Sequence, residues 1–168
     1  QRPLNGSQLN DVIFAQKAAD ASESCEKPIS LLEQLISNST QEGQTVLDFC
    51  MGTASCGEAC FTLGRRFIGI EIDDKRYEEA TFRLKDLWAK KGMADAAPTL
   101  EGVKTTHRVE FGDARERLQA LGDKSVELIL TSPPYYNCEG YFDGLFEDYD
   151  EFKKLMRDLA TESKRVLK

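Results

Sequence analysis

The chain has 168 residues, 40% hydrophobic and 30% charged, with 22 basic against 29 acidic side chains and a net charge of −7. That length suffices for one globular domain with a core of its own, and no apolar run approaches the roughly 20 residues that span a bilayer, so no membrane partner is expected. The acidic balance argues against a whole-surface nucleic-acid binder, which is normally basic, and leaves a local basic patch or a separate binding module as the routes to nucleic acid.

Residues 1–25 are polar and mixed, with a short apolar stripe at Leu9, Val12 and Ile13, and read as an N-terminal extension to a domain over 26–168. Lys27-Pro28 opens a helix, because Pro28 suits a first helical turn. Leu31, Leu32, Leu35 and Ile36 mark its buried face. After a turn at Gln41 to Gln44, the apolar run Thr45 to Phe49 reads as a buried strand. A Gly-containing loop from Met51 to Gly57 leads into a helix over 57–64, which Gly64 ends. Arg66 to Ile72 is the second strand. Asp73 and Asp74 cap a long helix whose inner face carries Tyr77, Ala80, Leu84, Leu87 and Trp88.

Residues 92–106 are small, polar and Pro-containing, and read as an extended loop. Val109 to Phe111 form the third strand, Ala114 to Leu121 a helix, and Val126 to Thr131 the fourth strand. A loop over 132–148, rich in Pro, Gly, Tyr and acid, precedes a final helix from Tyr149 to Val166. Strands alternating with helices predict an α/β domain with a parallel sheet covered on both faces. In such sheets ligands sit beyond the carboxyl ends of the strands, where the strand order reverses. The chemically interesting residues fall at those ends.

The five cysteines, Cys25, Cys50, Cys56, Cys60 and Cys138, are odd in number and form no CxxC pair. Metal and disulfide roles are therefore disfavoured, a reducing, intracellular setting (cytoplasmic or nuclear) is expected, and Cys56 and Cys60 read as small buried residues. His107 is the single histidine, so histidine metal clusters and serine triads lack a partner.

The loop Asp48-Phe49-Cys50-Met51-Gly52-Thr53-Ala54-Ser55-Cys56-Gly57 matches neither GxxxxGK[ST] nor GxGxxG. By itself it is equally well a plain turn and a place where backbone approaches a ligand. Glu71, some 20 residues further on, can accept hydrogen bonds from two ribose hydroxyls or stand as a solvated strand-end acid. Asp113 can accept from a ring amino group or cap the next helix. Thr131-Ser132-Pro133-Pro134-Tyr135 is the sharpest feature. Two prolines remove two donors. The Ser132 hydroxyl and the Pro133 carbonyl then present acceptors beside the flat face of Tyr135, a pattern suited to a planar ring that carries an NH₂ group.

At these residues the chain resembles the DNA amino-methyltransferases, whose catalytic motif [DNS]PP[YFW] stands here as Ser132-Pro133-Pro134-Tyr135. Thr131 to Asn137 is similar to members carrying Ser, many of which act on cytosine. Val46 through Cys60 and Leu63 through Ile72 resemble the family's cofactor motif and second strand, and Lys27-Pro28 with Leu31-Leu32 the preceding helix. The resemblance implies a Rossmann-like class I fold, S-adenosylmethionine as cofactor, and methyl transfer to the exocyclic amino group of cytosine or adenine in DNA. It implies catalytic roles for Ser132, Pro133, Pro134 and Tyr135. It implies cofactor contacts from Lys27, Asp48, Cys50, Gly52, Thr53, Ser55, Glu71, Ile72, Asp113 and Ala114.

The loop departs from the family's usual DPFxGSGTT. Ala54 replaces a glycine, and its Cβ is expected to crowd the cofactor or resist a positive φ. Carbon-5 methylation is excluded, since no Pro-Cys pair occurs. The competing readings are an RNA or protein amino-methyltransferase and an inactive assembly subunit of the same fold. The acids Glu139, Asp143, Glu147, Asp148, Asp150 and Glu151 would repel phosphate, so DNA contacts are expected from outside this segment. The sheet is expected to lack its last strands here. That would leave an apolar fourth-strand edge at Val126, Leu128, Ile129 and Leu130 for a partner chain or for self-association.

Overall fold

The computed structural model describes residues 26–90, 107–136 and 146–168. The stripe at Leu9, Val12 and Ile13, the loop expected over 92–106, Cys25, Asn137, Cys138, Glu139 and Asp143 lie outside these residues. Helix α1 covers Ile29–Ser39, with Pro28 at the N-cap instead of in the first turn. Leu32 and Ile36, four apart, are its buried residues, while Leu31 and Leu35 are half-buried. Strand β1, Thr45–Asp48, is buried at every position, as befits a central strand covered on both faces.

Helix α2 spans Ser55–Thr62 and starts two residues earlier than expected. Strand β2 is Arg66–Glu71. Ile72, expected in that strand, lies past its end and is 56% exposed. Asp73 accepts the Arg76 N–H at the start of α3, Asp74–Lys90, whose buried residues are Ala80, Leu84 and Trp88. Strand β3 begins at His107, earlier than expected, and ends at Phe111. The remaining elements are α4 (Ala114–Gln119), β4 (Leu128–Ile129) and α5 (Tyr149–Val166).

The strands lie parallel in the order β3-β2-β1-β4. The chain therefore steps outward from β1 to β3 and then returns to the other side of β1. A crevice opens at that reversal, between the carboxyl ends of β1 and β4. Successive residues of β1 feed opposite faces. Val46 packs with α1, α2 and α3 through Leu32, Ile36, Cys56, Cys60, Leu84 and Trp88. Leu47 packs with α4 and α5 through Leu118, Leu159 and Val166. Cys56 and Cys60 are thus the small buried residues expected. His107 is buried against the rings of Phe61, Phe67 and Trp88, and burial pushes its imidazole down to about 4.

The fourth strand is shorter than its apolar run. Only Leu128 and Ile129 pair with Val46 and Leu47, because β1 ends at Asp48 and the Leu130 N–H to Leu47 carbonyl bond is the last before the prolines. The expected open edge is also partly covered. Val126 is fully buried and bridges in parallel to Leu167, and the Lys168 N–H donates to the Val126 carbonyl at 3.0 Å. The Lys168 ammonium pairs with Glu127.

Gly57 of α2 packs on the Phe67 ring of β2, where a Cβ would lie 2.9 Å from it, and Gly69 of β2 leaves room for Met51 of the preceding loop. A Cβ on Gly69 would collide with the Met51 sulfur and lie 2.6 Å from the Phe67 ring. Gly69→Ala is therefore expected to lower unfolding stability by about 1–3 kcal/mol through overpacking. Urea unfolding measures it, and an unchanged midpoint would show that the contact is slack.

Candidate functional site

Three strand ends meet at one residue, Glu71. Glu71, 6% exposed, closes β2. Its Oε2 accepts the Gly52 N–H at 2.8 Å, and its Oε1 accepts those of Ile72 and Asp73 at 3.0 and 2.9 Å. Its backbone carbonyl accepts the Gly112 N–H after β3 at 2.8 Å. A carboxylate offers about four lone-pair sites. Three are engaged, which leaves one on Oε2 for an incoming hydroxyl and not the two the sequence reading expected.

The loop from β1 to α2 makes two left-handed residues, Gly52 at φ 55 and Ala54 at φ 63. Gly52 is suited to this, and a Cβ there would meet nothing within 4 Å. Ala54 takes the conformation despite its methyl, at about 1–2 kcal/mol. The methyl lies fully buried in the core with Cys56 and Ala59 and lines no cavity. The expected crowding of the cleft by Ala54 is thus absent.

Two adjoining cavities occupy the crevice. One, of about 350 Å³, is bordered by Phe49, Cys50, Gly52, Glu71, Ile72, Asp113, Ala114, Ser132 and Pro134. The other, of about 180 Å³, is bordered by Lys27, Asp48, Cys50, Gly52, Thr53, Ser55, Ser132, Pro133 and Tyr135. Cys50, Gly52 and Ser132 border both. Every catalytic and cofactor residue that the resemblance implied therefore borders the crevice.

Their environments differ. Asp48 is 7% exposed and its Oδ1 accepts the Cys50 N–H at 3.1 Å. Burial pushes its carboxyl up to about 6, against the lowering by the Thr131 hydroxyl, the Cys50 N–H and Lys27. Burial, with Asp48 and Glu71 nearby, pushes the Cys50 thiol up to about 12, so it is a neutral wall of the crevice and no nucleophile. Asp113 caps α4 by accepting the Arg115 N–H, and its carboxylate is also forked by the Arg115 guanidinium, which holds it below the usual range. The capping reading of Asp113 is therefore realised. Ser132 and Tyr135 are exposed, Tyr135 by 58%.

Sequence reasoning missed the far wall of the larger cavity, formed by Phe146, Leu155 and Leu159, with Arg76, Arg115 and Lys154 at its margin. Leu155 and Leu159 belong to the apolar stripe of α5, and helical spacing does not separate a core face from a cleft wall. Arg76, in the first turn of α3 after Glu71, is a charged residue whose sequence position alone carried no signal.

Comparison with known proteins fits this geometry. Over residues 5–82 the chain matches the DNA methylase family. It is 42% identical over 60 residues to the Type II methyltransferase M2.DpnII of Streptococcus pneumoniae, covering 36% of this chain and 22% of that protein. It is 39% identical over 64 residues to the Type II methyltransferase M.HinfI of Haemophilus influenzae, covering 38% of this chain and 18% of that protein. Over these stretches the chain is similar to DNA methylases. The matched stretches span about a fifth of the length of these two relatives. The family match ends before the Ser132-Pro133-Pro134-Tyr135 motif. The fold resembles geranyl diphosphate C-methyltransferase of Streptomyces coelicolor, solved with S-adenosyl-L-homocysteine, with a TM-score of 0.51 at 17% identity over 83% of this chain and 41% of that one. The fold is thus the Rossmann-like one of class I methyltransferases. Among the described residues no helix is long and apolar enough to cross a membrane.

Asp48 sets a pH-dependent stability. Its carboxyl rises from 3.8 to about 6 on folding, so the folded chain binds the proton more tightly. The stability that the neutral form contributes is lost as pH rises through that window. An Asn stays neutral. The stability of Asp48→Asn relative to the native chain should therefore climb between pH 4 and 6.5, by up to about 3 kcal/mol. Urea unfolding across that range reads it, and a flat difference would contradict the assignment.

Proposed function

We propose that the crevice binds S-adenosylmethionine and that the chain is the cofactor-binding and catalytic part of a DNA methyltransferase acting on the exocyclic amino group of cytosine or adenine. The carrying observation is that the β1 loop and the Ser132–Tyr135 segment, from strands flanking the reversal of strand order, together border both of two adjoining cavities. The residues suit the cofactor. Open space at Gly52 admits a ligand against the backbone. Glu71 keeps one acceptor site for a ribose hydroxyl. Ile72, Phe49 and Leu155 offer apolar walls for a purine ring. Asp48, buried and ionised above about pH 6, matches an α-ammonium group, and Lys27 on the same cavity matches a carboxylate.

When bound, S-adenosylmethionine supplies an electrophilic methyl group on a sulfonium. The Ser132 hydroxyl and the Pro133 carbonyl accept from the target amino group and turn its lone pair out of conjugation. The exposed Tyr135 ring stacks on a base flipped out of the duplex. Holding two reactants in register supplies much of the rate. No residue here needs to form a covalent bond to the base. Glu147, Asp148, Asp150 and Glu151, all exposed beside the crevice, repel phosphate, so the DNA backbone is gripped by surfaces outside this segment.

Calorimetry with S-adenosylmethionine, and nucleoside mass spectrometry of duplex DNA exposed to the protein, test the proposal. Absence of cofactor binding in the folded chain would overturn it. Binding should also depend on pH. Asp48 must be ionised to meet an ammonium, so affinity falls roughly tenfold for each unit below about pH 6. Tyr135→Ala should leave the fold intact and depress methylation about 5- to 150-fold, as expected for lost stacking of about 1–3 kcal/mol, while Tyr135→Phe keeps most of it. An Ala variant with native turnover would remove Tyr135 from the base site.

A further inference from the structure

One guanidinium, on the outer side of the crevice wall, joins three pieces of chain that are far apart in sequence. Arg83 on α3 donates through Nη1 to the Thr53 carbonyl at 3.0 Å and to the Thr53 hydroxyl at 3.3 Å. Its Nη2 pairs with Glu26 at 2.6 Å, and its Nε pairs with Glu58 of α2 at 3.4 Å. The Glu26 side chain is only 8% exposed and that of Arg83 28%, so the cluster is largely shielded. Arg83 itself borders neither cavity, whereas Glu26, Lys27 and Thr53 all border the smaller one.

The segment 26–28 precedes α1 and has no regular structure of its own. Its backbone runs past the β1 loop without a ladder to hold it. Lys27 reaches the cavity from that segment, so its position depends on what anchors Glu26. The same guanidinium fixes the Thr53 carbonyl between the two left-handed residues of the loop. Only a planar fork serves such partners together. A lysine ammonium on a flexible stem is a point donor and cannot span them.

We propose that Arg83 is a positioning residue for the cofactor site, clamping the Glu26-Lys27 segment and the Thr53 loop into one rigid wall. This rests on the reading that the crevice binds S-adenosylmethionine. The clamp acts before the ligand arrives, by preorganising Lys27 and the loop, and so lowers the ordering cost of binding.

The test uses Arg83→Gln, Arg83→Lys, Glu26→Ala and Glu26→Gln, each checked as folded by circular dichroism. S-adenosylmethionine calorimetry is run well below the unfolding temperature, with hydrogen exchange of 26–32 and 50–56. Both Arg83 variants should weaken binding about tenfold and speed exchange in those two stretches, with β3 and α4 unchanged. Glu26→Ala should follow, Glu26→Gln should recover part because its amide oxygen still accepts, and Arg83→Gln with Glu26→Ala should be no weaker than Arg83→Gln alone. Unchanged affinity in a folded Arg83→Gln overturns the proposal, even where its melting temperature falls, since that assigns Arg83 to stability alone. If the native chain fails to bind the cofactor, the functional reading fails. The exchange measurement then still decides separately whether Arg83 couples the two stretches.

Discussion

Gly52 N–H donates to a buried carboxylate, and most of the site hangs from that bond. Where β1 and β2 diverge, the strand ladder can no longer satisfy the backbone. Glu71 takes over, accepting three N–H groups through its side chain and a fourth through its carbonyl. A buried charge is tolerated only when it is so completely bonded. In return the carboxylate holds the Gly52 turn and the exit of β2, and the Glu71 carbonyl holds the end of β3. Each charge-assisted bond contributes roughly 1.5–3 kcal/mol. The loop geometry is therefore set by the fold and needs no ligand to establish it.

Two further consequences follow from placing acids at the strand ends. Asp48 and Glu71 lie close enough that each raises the cost of ionising its neighbourhood, as Asp48 and the Cys50 thiol both report. Such a crevice favours a ligand that brings positive charge to one end and hydroxyl donors to the other. The exposed acids at the start of α5 extend that preference outward, where they also serve α5 by capping it: Asp148 accepts the Glu151 N–H at 2.9 Å. An acidic rim that is useful to a helix is at odds with gripping a polyanionic backbone.

Much of this was legible in the sequence for reasons that can be named. Strands β1 and β2 are central and buried on both faces, so they read as continuous apolar runs. Helices α3 and α5 carry their caps and stripes in plain view, and α5 spans Tyr149–Val166 as read. That the strand-end residues share one crevice was legible because parallel sheets bring strand ends together, so position along the chain already implied proximity. Failures came where pairing partners decide the outcome. Val126 to Thr131 looks like one strand, yet only two residues find a ladder, because β1 ends first. Arg83 gave no signal at all. Its partners lie 57, 30 and 25 positions away along the chain, at Glu26, Thr53 and Glu58, and no local pattern encodes a fork of that kind.

Ala54 shows how far a motif can drift while its geometry holds. The usual glycine there is free to take a positive φ, and an alanine at φ 63 gives up about 1–2 kcal/mol of backbone energy. Its methyl, though, is fully buried among Cys56, Ala59 and Val46. Burying one such carbon returns about 0.8 kcal/mol. Alanine also restricts the unfolded chain more than glycine does, which is worth a further 0.4–1 kcal/mol or so. An alanine held at a positive φ is strained by more than these gains return, so the exchange remains a net cost to folding. It is silent in the crevice, because the methyl lies in the core and Gly52, two residues earlier, keeps the open face.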